Sequence, residues 1–391
     1  MLRLDSRHAG FEQAFRDLLA MKREVSEDVD AAVRAIVADV KARGDRALQE
    51  YTLRFDKVDL GTAGMEIGKA ERAAARAACA PTALAALELA AERIRAYHER
   101  QKPRDEQFTD ALGVKLGWRW TAVDSAGLYV PGGQASYPSS VLMNAIPAKV
   151  AGVERLAMVV PTPGGAVDPL VLAAADIAGV DTVYRIGGAQ AIAALAFGTD
   201  TIKPVSKIVG PGNAFVAAAK RQIFGIVGID MIAGPSEVVV MADHTGNPDW
   251  IAADLLAQAE HDSAAQSILI TSDSRLADAV AESVERQLTT LPREAIARAS
   301  WDEFGAIILV PSLEAALPLV DRLAAEHLEI HAENAEALAA RVRHAGAIFI
   351  GAHTPEAIGD YVGGSNHVLP TARSARFASG LGVYDFVKRT S

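Results

Sequence analysis

The chain has 391 residues, of which 50% are hydrophobic, and it carries a formal net charge of -10 at pH 7. This length predicts at least two domains, and the acidic balance argues against a nucleic-acid surface, which needs clustered Lys and Arg. The single cysteine excludes an internal disulfide, the N-terminus lacks the long apolar region of a signal peptide, and no later run reaches the length of a membrane span, so we expect a cytoplasmic protein without membrane partners.

The N-terminal part of the chain is predicted to be helical. Residues 1–23 include a short amphipathic segment, Phe11–Ala20, which is too small to fold alone and is expected to pack on another part of the chain. An N-cap signal at Ser26 opens a longer helix that Gly44 closes. Further helices are predicted at 45–55, 69–80 and 82–101.

From Trp118 onward the pattern changes to short apolar strands that alternate with helices of about ten residues. Strands are predicted at 126–130, 155–161, 182–186, 207–210, 237–242, 266–271, 306–310 and 347–350. Such alternation indicates βαβ units and parallel sheets. The predicted fold class is therefore α/β, with two incomplete Rossmann-like lobes and an N-terminal helical segment.

The predicted domain division follows this pattern. Residues 1–23 form the N-terminal segment, and residues 129–235 form one α/β lobe. The second lobe combines residues 24–128 with 236–381. Residues 382–391 are interpreted as the start of a C-terminal tail.

Three glycine-rich turns, at 131–136, 186–190 and 210–213, each follow a predicted strand and precede a helix. Parallel sheets place such turns at the carboxyl edge, where ligands bind, and helix N-termini favour phosphate. None of the turns spells G-x-G-x-x-G, since Phe215 stands three residues after Gly212. A nucleotide site and simple tight turns both remain open on these loops alone.

Two groups that can move protons, Glu326 and His327, stand side by side after a predicted helix at 313–325. Histidine, with an unperturbed pKa of about 6.5, is the natural base near neutral pH, and burial can raise the pKa of a carboxyl towards that range. In a continued helix the two side chains would point about 100° apart, which favours two separate roles over one hydrogen-bonded dyad. His327 and His331 would then be a rival metal-binding pair, and a charged helix end without catalytic function is the alternative.

A metal site is indicated by Gln258 and His261, which are three residues apart at a predicted helix end. They can offer a carbonyl oxygen and an imidazole nitrogen on one face. Asp360 adds a hard oxygen ligand, His367 adds another imidazole, and Zn²⁺ accepts such a mixed set. A polar helix terminus without a metal is the alternative interpretation.

Seven separated motifs carry a resemblance to a known family. They are G-L-Y-V-P-G-G at 127–133, R-I-G-G-A-Q at 185–190, G-P-G-N at 210–213, A-G-P-S-E at 233–237, Q-A-E-H at 258–261, A-E-H-L-E at 325–329 and G-S-N-H at 364–367. In this order they resemble histidinol dehydrogenases along nearly the whole chain. Seven motifs in register are far more specific than any one of them.

The resemblance implies an NAD-dependent, four-electron oxidation of L-histidinol to L-histidine through histidinaldehyde, by a cytoplasmic homodimer that completes histidine biosynthesis. It assigns residues 129–235 to NAD and the other lobe to zinc and catalysis. It implies that Glu326 and His327 transfer protons, with His327 serving the alcohol and Glu326 the water that hydrates the aldehyde. The implied zinc ligands are Gln258, His261 and Asp360; the implied NAD contacts are Tyr129, Gln190 and Asn213; the implied substrate contacts are Ser236, Gln258, His261, His327, Asp360 and His367.

One departure concerns the C-terminus. Family members continue past the V-K-R-T-S motif with which this chain ends at Ser391. The resemblance implies that this tail exchanges between subunits and supplies a fourth zinc ligand and a substrate-binding glutamate, so we expect weak zinc binding and little activity of the 391-residue form. The alternatives are a related zinc-binding dehydrogenase for another small polar alcohol and a catalytically silent, zinc-binding or dimerising homologue.

Overall fold

The computed structural model describes residues 1–21, 27–132 and 137–391. The predicted N-cap Ser26 and positions 133–136 of the first glycine-rich turn lie outside these residues. The helices are α1 Phe11–Ala20, α2 Glu27–Arg43, α3 Asp45–Phe55, α4 Leu60–Ala63, α5 Lys69–Ala78, α6 Pro81–Glu99, α7 Pro138–Ala151, α8 Pro169–Ala178, α9 Gly188–Phe197, α10 Ala214–Ile223, α11 Pro248–Ala259, α12 Ser274–Leu288, α13 Glu294–Phe304, α14 Leu313–Leu323, α15 Ala335–Ala339 and α16 Ala357–Asp360. The strands are β1 Leu2–Asp5, β2 Glu106–Thr109, β3 Lys115–Ala122, β4 Ser125–Tyr129, β5 Arg155–Val159, β6 Thr182–Tyr184, β7 Lys207–Val209, β8 Gly228–Ile229, β9 Glu237–Ala242, β10 Gln266–Thr271, β11 Ala306–Leu309, β12 His327–His331, β13 Ala347–Ile350 and β14 Val387–Thr390.

The predicted α/β class is confirmed, and the chain divides into two compact units. Unit 1 consists of Met1–Glu24, Ala233–Gly359 and Leu369–Gly380. Unit 2 consists of Val25–Ile232, Asp360–Val368 and Leu381–Ser391. Each unit contains a parallel sheet with helices packed against it.

Unit 1 is built on a six-stranded sheet in the order β1-β11-β10-β9-β12-β13, in which every pairing is parallel. Its central strands are apolar on both faces because helices cover both. In β9, Val238 and Val240 pack in the core with α11 and α12, whereas Val239 and Met241 pack in the core with α14. A strand buried on both sides has no polar face, which is why these segments appear in the sequence as continuous apolar runs.

The N-terminal segment is only partly helical, so the prediction for residues 1–23 needs correction. Helix α1 does bury Phe15, which packs in the core of unit 1 as the amphipathic pattern predicts. Before it, however, β1 pairs in parallel with β11 and forms the edge of the sheet. The strand is four residues long, too short for its alternation to be distinguished from a loop.

Unit 2 contains a five-stranded parallel sheet in the order β6-β5-β4-β7-β8 and a three-stranded antiparallel sheet in the order β14-β3-β2. In the parallel sheet, β5 and β6 are added in turn on one side of β4, and β7 and β8 are added in turn on its other side. The carboxyl ends of β4 and β7 therefore flank a topological switch point, the position where open α/β sheets bind ligands.

The helices of residues 27–99 belong to unit 2, whereas the sequence assigned them to the lobe that includes 236–381. Ile94 of α6 packs in one core with Leu142, and Leu48 of α3 packs in another with Ile192. An amphipathic pattern specifies that a helix buries one face but not which of two sheets receives it. Residues 382–391 contribute β14, which pairs with β3.

No single helix of the described chain is both long and apolar enough to cross a membrane. The pair Lys69–Ala78 and Pro81–Glu99 reaches the required length and composition only together, and it is bent by 113°.

Candidate functional site

The Glu326–His327 pair lies where α14 turns into β12, not on a helix. Ala324 adopts a left-handed conformation with φ 46° and donates its backbone N–H to the carbonyl of Val320, which ends α14. His327 is then the first residue of β12. The predicted continuation of the helix is wrong because the Ala-rich local sequence favours helix while pairing with β9 and β13 on both sides imposes a strand.

Three oxygen atoms surround Nδ1 of the buried His327 imidazole. They are the carbonyl of Glu237 at 3.2 Å, Oε1 of Gln258 at 3.2 Å and Oε1 of Glu356 at 3.4 Å. Because all three are acceptors, the proton of a neutral imidazole belongs on Nδ1. The basic lone pair is therefore on Nε2, and the ring is held in the tautomer that a general base needs.

Glu326 is held by the backbone of Glu237, the residue whose carbonyl also faces His327. Its Oε2 accepts the backbone N–H of Glu237 at 3.2 Å, and Glu237 also offers its carbonyl to His327. Oε2 of Glu326 lies 3.9 Å from Nδ1 of His327, beyond hydrogen-bond distance. The two side chains are thus neighbours without being a hydrogen-bonded dyad, so two separate proton-transfer roles stay a prediction that the geometry permits.

The predicted zinc and substrate residues are distributed over both units. Gln258 is buried in the last turn of α11, and the backbone N–H of His261, just past that helix, bonds to its carbonyl at 3.2 Å. Ser236 directly precedes β9, so these three residues share unit 1 with the proton pair. Asp360 and His367 belong to unit 2. Burial raises the pKa of Asp360 to about 6.

The rival metal pair His327 and His331 is wrong. The two residues stand at opposite ends of β12. Four residues of strand span about 13 Å, at roughly 3.3 Å per residue, so the two imidazoles do not reach one ion. Alternation along the strand instead places both on the same face as Glu329, whose carboxylate lies 3.0 Å from Nε2 of His331.

The predicted cofactor residues of unit 2 meet at the switch point of its parallel sheet. Tyr129 ends β4 and is buried; its hydroxyl accepts the backbone N–H of Gly188 at 3.1 Å, and burial raises its pKa to about 12. Gly188 adjoins Gln190, whose Oε1 would be 2.8 Å from a Cβ added to that glycine. Gly210, at φ 111°, follows β7 and would bring a Cβ within 2.1 Å of the Tyr129 carbonyl. Only glycine permits this approach.

A buried ion pair secures the turn at Gly210. Asp230 accepts the N–H of Gly210 at 2.8 Å. The ammonium of Lys220 donates to the carbonyl of Gly210 at 3.0 Å and forms an ion pair with Asp230. Asn213 then caps α10, since its Oδ1 accepts two backbone N–H groups of the first turn. The turn, the cap and the helix N-terminus form a rigid edge at which backbone donors can meet an anionic ligand.

Sequence reasoning missed Glu237, Glu356 and Glu329. The first contributes its peptide group, which carries no residue-specific signal. The second follows β13 and approaches His327 only through the fold. Glu329 had a usable signal, because a carboxylate two residues after His327 shares its face once the segment is recognised as a strand.

The family model, the curated relatives and a solved structure at 36% identity all name the same family. A family model described as histidinol dehydrogenase matches residues 19–391. Histidinol dehydrogenase of Mesorhizobium japonicum is 68% identical over 383 residues, 98% of this chain and 89% of the relative, and that of Bradyrhizobium diazoefficiens is 68% identical over 390 residues, 100% of this chain and 90% of the relative. The crystal structure of histidinol dehydrogenase from Elizabethkingia anophelis matches with a TM-score of 0.95 at 36% identity, covering 100% of this chain and 89% of that one. All seven sequence motifs lie within the matched residues.

Proposed function

Since the chain belongs to the histidinol dehydrogenase family, we propose that it oxidises L-histidinol to L-histidine through L-histidinaldehyde, with NAD as oxidant and zinc as resident metal. The observation that carries this proposal is the His327 imidazole, whose Nδ1 faces three oxygen acceptors beside the Glu326 carboxylate. A role in the last steps of histidine biosynthesis, a homodimeric assembly and a cytoplasmic location follow from the family and form part of the same proposal.

The two protein groups suit the two chemical stages. In the first stage, Nε2 of His327 accepts the hydroxyl proton of histidinol while the carbinol carbon loses a hydride. In the second stage, Glu326 takes a proton from the water that adds to the aldehyde and returns it to the former carbonyl oxygen. The hydrate then gives a hydroxyl proton to Nε2 of His327 and loses a second hydride. NAD, when bound, accepts each hydride, so one turnover consumes two NAD.

As proposed zinc ligands, Gln258 and His261 of unit 1 offer a carbonyl oxygen and an imidazole, and Asp360 offers a carboxylate; all three are donor types that Zn²⁺ accepts. Gln258 supports this assignment by its position, because its Oε1 already lies against His327. A metal held there would bind the imidazole and amino groups of histidinol. Its contribution would be orientation of the carbinol carbon towards the base. Ser236 and His367 complete the proposed substrate contacts.

An NAD molecule fits the edge formed by Tyr129, Gln190 and Asn213. The tight turns at Gly188 and Gly210 let backbone approach a ligand, and α9 and α10 begin at this edge with N-terminal donors. These features support dinucleotide binding without the usual glycine fingerprint.

The test is NADH formation by the zinc-loaded protein, carrying a full-length family tail fused after Ser391, with L-histidinol and, separately, with L-histidinaldehyde. We expect both substrates to be oxidised, His327→Asn to slow both reactions, and the exposed His353→Asn to leave them unchanged. Turnover of another polar alcohol in preference to histidinol, or full activity of His327→Asn, would reject the proposal.

A further inference from the structure

A buried polar cluster lies on the same face of β12 as His327. Glu329 is fully buried, and its two oxygens have separate partners: Oε1 accepts the backbone N–H of Glu356 at 3.1 Å, and Oε2 lies 3.0 Å from Nε2 of His331. The carboxyl of Asp254 on α11 lies within 4.8 Å of the Glu329 carboxylate and 3.7 Å from the same imidazole nitrogen. The proposed chemistry uses none of these three side chains.

The protonation of the cluster follows from its burial. Burial raises the pKa of Asp254 to about 8 and that of Glu329 to about 7, and their mutual bond raises the first and lowers the second. Asp254 is therefore the donor, and Glu329 is the carboxylate that accepts. Burial lowers the pKa of His331, so its ring is neutral and donates from Nε2 to Glu329. The lone pair is then on Nδ1, which is buried and has no hydrogen-bond partner among the described residues.

The cluster joins the same two elements that carry the catalytic contact. Asp254 and Gln258 are four residues apart on α11, about 6 Å at 1.5 Å per residue. Glu329 and His327 are two residues apart on β12, about 6.6 Å at 3.3 Å per residue. The spacing between Asp254 and Gln258 on the helix thus matches the spacing between Glu329 and His327 on the strand. When Asp254 contacts Glu329, Gln258 is therefore placed opposite His327.

We propose that Asp254 and Glu329 are positioning residues that set the register of α11 on β12 and so hold Gln258 against Nδ1 of His327. Glu329 acts a second time through Glu356, because it binds the backbone of the residue whose carboxylate also faces that nitrogen. The catalytic consequence of this inference rests on the proposed function, in which Gln258 holds zinc and His327 is the base.

The test compares Glu329→Leu, which removes the contacts with Glu356, His331 and Asp254, with Glu329→Gln. In Glu329→Gln the amide oxygen still accepts from Glu356, and the NH₂ group can donate to the carboxyl of Asp254, in the reverse of the native direction. Asp254→Leu cuts the same bridge from the helix side and replaces Glu329→Leu if that variant does not fold. Ser267→Ala is the matched control, because the buried Ser267 hydroxyl donates to the Leu255 carbonyl on the same helix at 2.7 Å but does not face β12.

Two readouts separate the inference from the proposed function. Side-chain nitrogen NMR of labelled histidine, with His327 assigned by its Asn variant, reports the Nδ1 contact whether or not the protein turns over histidinol. We expect the Nδ1 resonance of His327 to shift in Glu329→Leu, and to stay in place in Glu329→Gln and Ser267→Ala. In parallel, kcat should fall about tenfold or more in Glu329→Leu, the size of loss typical when a residue that positions a metal ligand is removed. The KM for NAD should not change, and kcat should recover in Glu329→Gln.

An unmoved His327 resonance in both Glu329→Leu and Asp254→Leu would overturn the inference. So would an equal loss of kcat in Ser267→Ala, which would reduce the effect to general stability. A wild type without histidinol oxidation would reject the proposed function alone, since the NMR comparison still decides the register. Asp254, Glu329 and His331 also offer ligand atoms within 4.8 Å of one another. A second equivalent of bound metal that disappears in Glu329→Leu would show that a metal joins these side chains in place of a direct contact between the carboxyl groups, and this result would overturn the inference.

Discussion

Neutralising Asp230 should destabilise the protein and weaken its proposed cofactor site together. The side chains of Asp230 and Lys220 are 0% and 2% exposed, so neither charge has water as an alternative partner. In Asp230→Asn the new amide oxygen can still accept the Gly210 N–H, but its NH₂ group would face the ammonium, and Lys220 would keep only the Gly210 carbonyl. The cost of leaving a buried charge in this way is about 3–5 kcal/mol.

Urea unfolding of the wild type and of Asp230→Asn measures this cost directly. A loss of this size is a large part of the stability of about 5–15 kcal/mol that is typical of folded proteins. The double variant Lys220→Met with Asp230→Asn should recover part of the loss, because it contains no unpaired buried charge. The KM for NAD should rise in Asp230→Asn, since the turn that precedes Asn213 loses its support, whereas zinc content should not change.

The control is Asp249→Asn, which breaks an ion pair with Arg286 whose side chains are 60% and 61% exposed. Solvent screens that pair, so little change in the unfolding midpoint is expected. A destabilisation of Asp230→Asn no larger than that of Asp249→Asn, or a double variant less stable than the single one, would refute the reasoning.

Three further predictions follow from the described contacts. Glu326→Gln should impair oxidation of histidinaldehyde more than that of histidinol, and His327→Asn should slow both; equal effects of Glu326→Gln on the two steps would reject separate roles. Asn213→Ala and Asp273→Ala each remove an N-cap of similar geometry, so both should lose about 1 kcal/mol in urea unfolding, but only Asn213→Ala should raise the KM for NAD while zinc content stays the same. Burial raises the pKa of Asp254 to about 8, against about 3.9 in an unfolded chain. The folded state therefore binds more protons between these values, stability should fall as pH rises across that window, and Asp254→Asn should flatten the dependence in urea titrations; an identical slope in this variant would contradict the assignment.

Most of the parallel strands and their crossover helices were predictable from the sequence, because such a strand is a short apolar run and each helix has its own period. The exceptions among the parallel strands were β1, β8 and β12. The family was predictable as well. Each of its seven motifs is a short continuous stretch, so it can be recognised in the sequence without knowledge of the fold. Gly210 illustrates why such motifs persist: a side chain there would collide with the carbonyl of Tyr129.

Only the tertiary structure decided which sheet the N-terminal helices cover, because the pattern of an amphipathic helix shows which face is buried but not which sheet it packs against. It also decided that His327 begins a strand, since pairing with β9 and β13 outweighed a local sequence that favours helix. That change of element altered the chemistry. A period of two residues instead of 3.6 placed Glu329 on the face of His327 and put His331 about 13 Å away from His327 along the same face. Packing of α11 then brought Asp254 and Gln258 to that face. Contacts between residues far apart in the chain depend on register, and register is a property of the packed elements rather than of either segment alone.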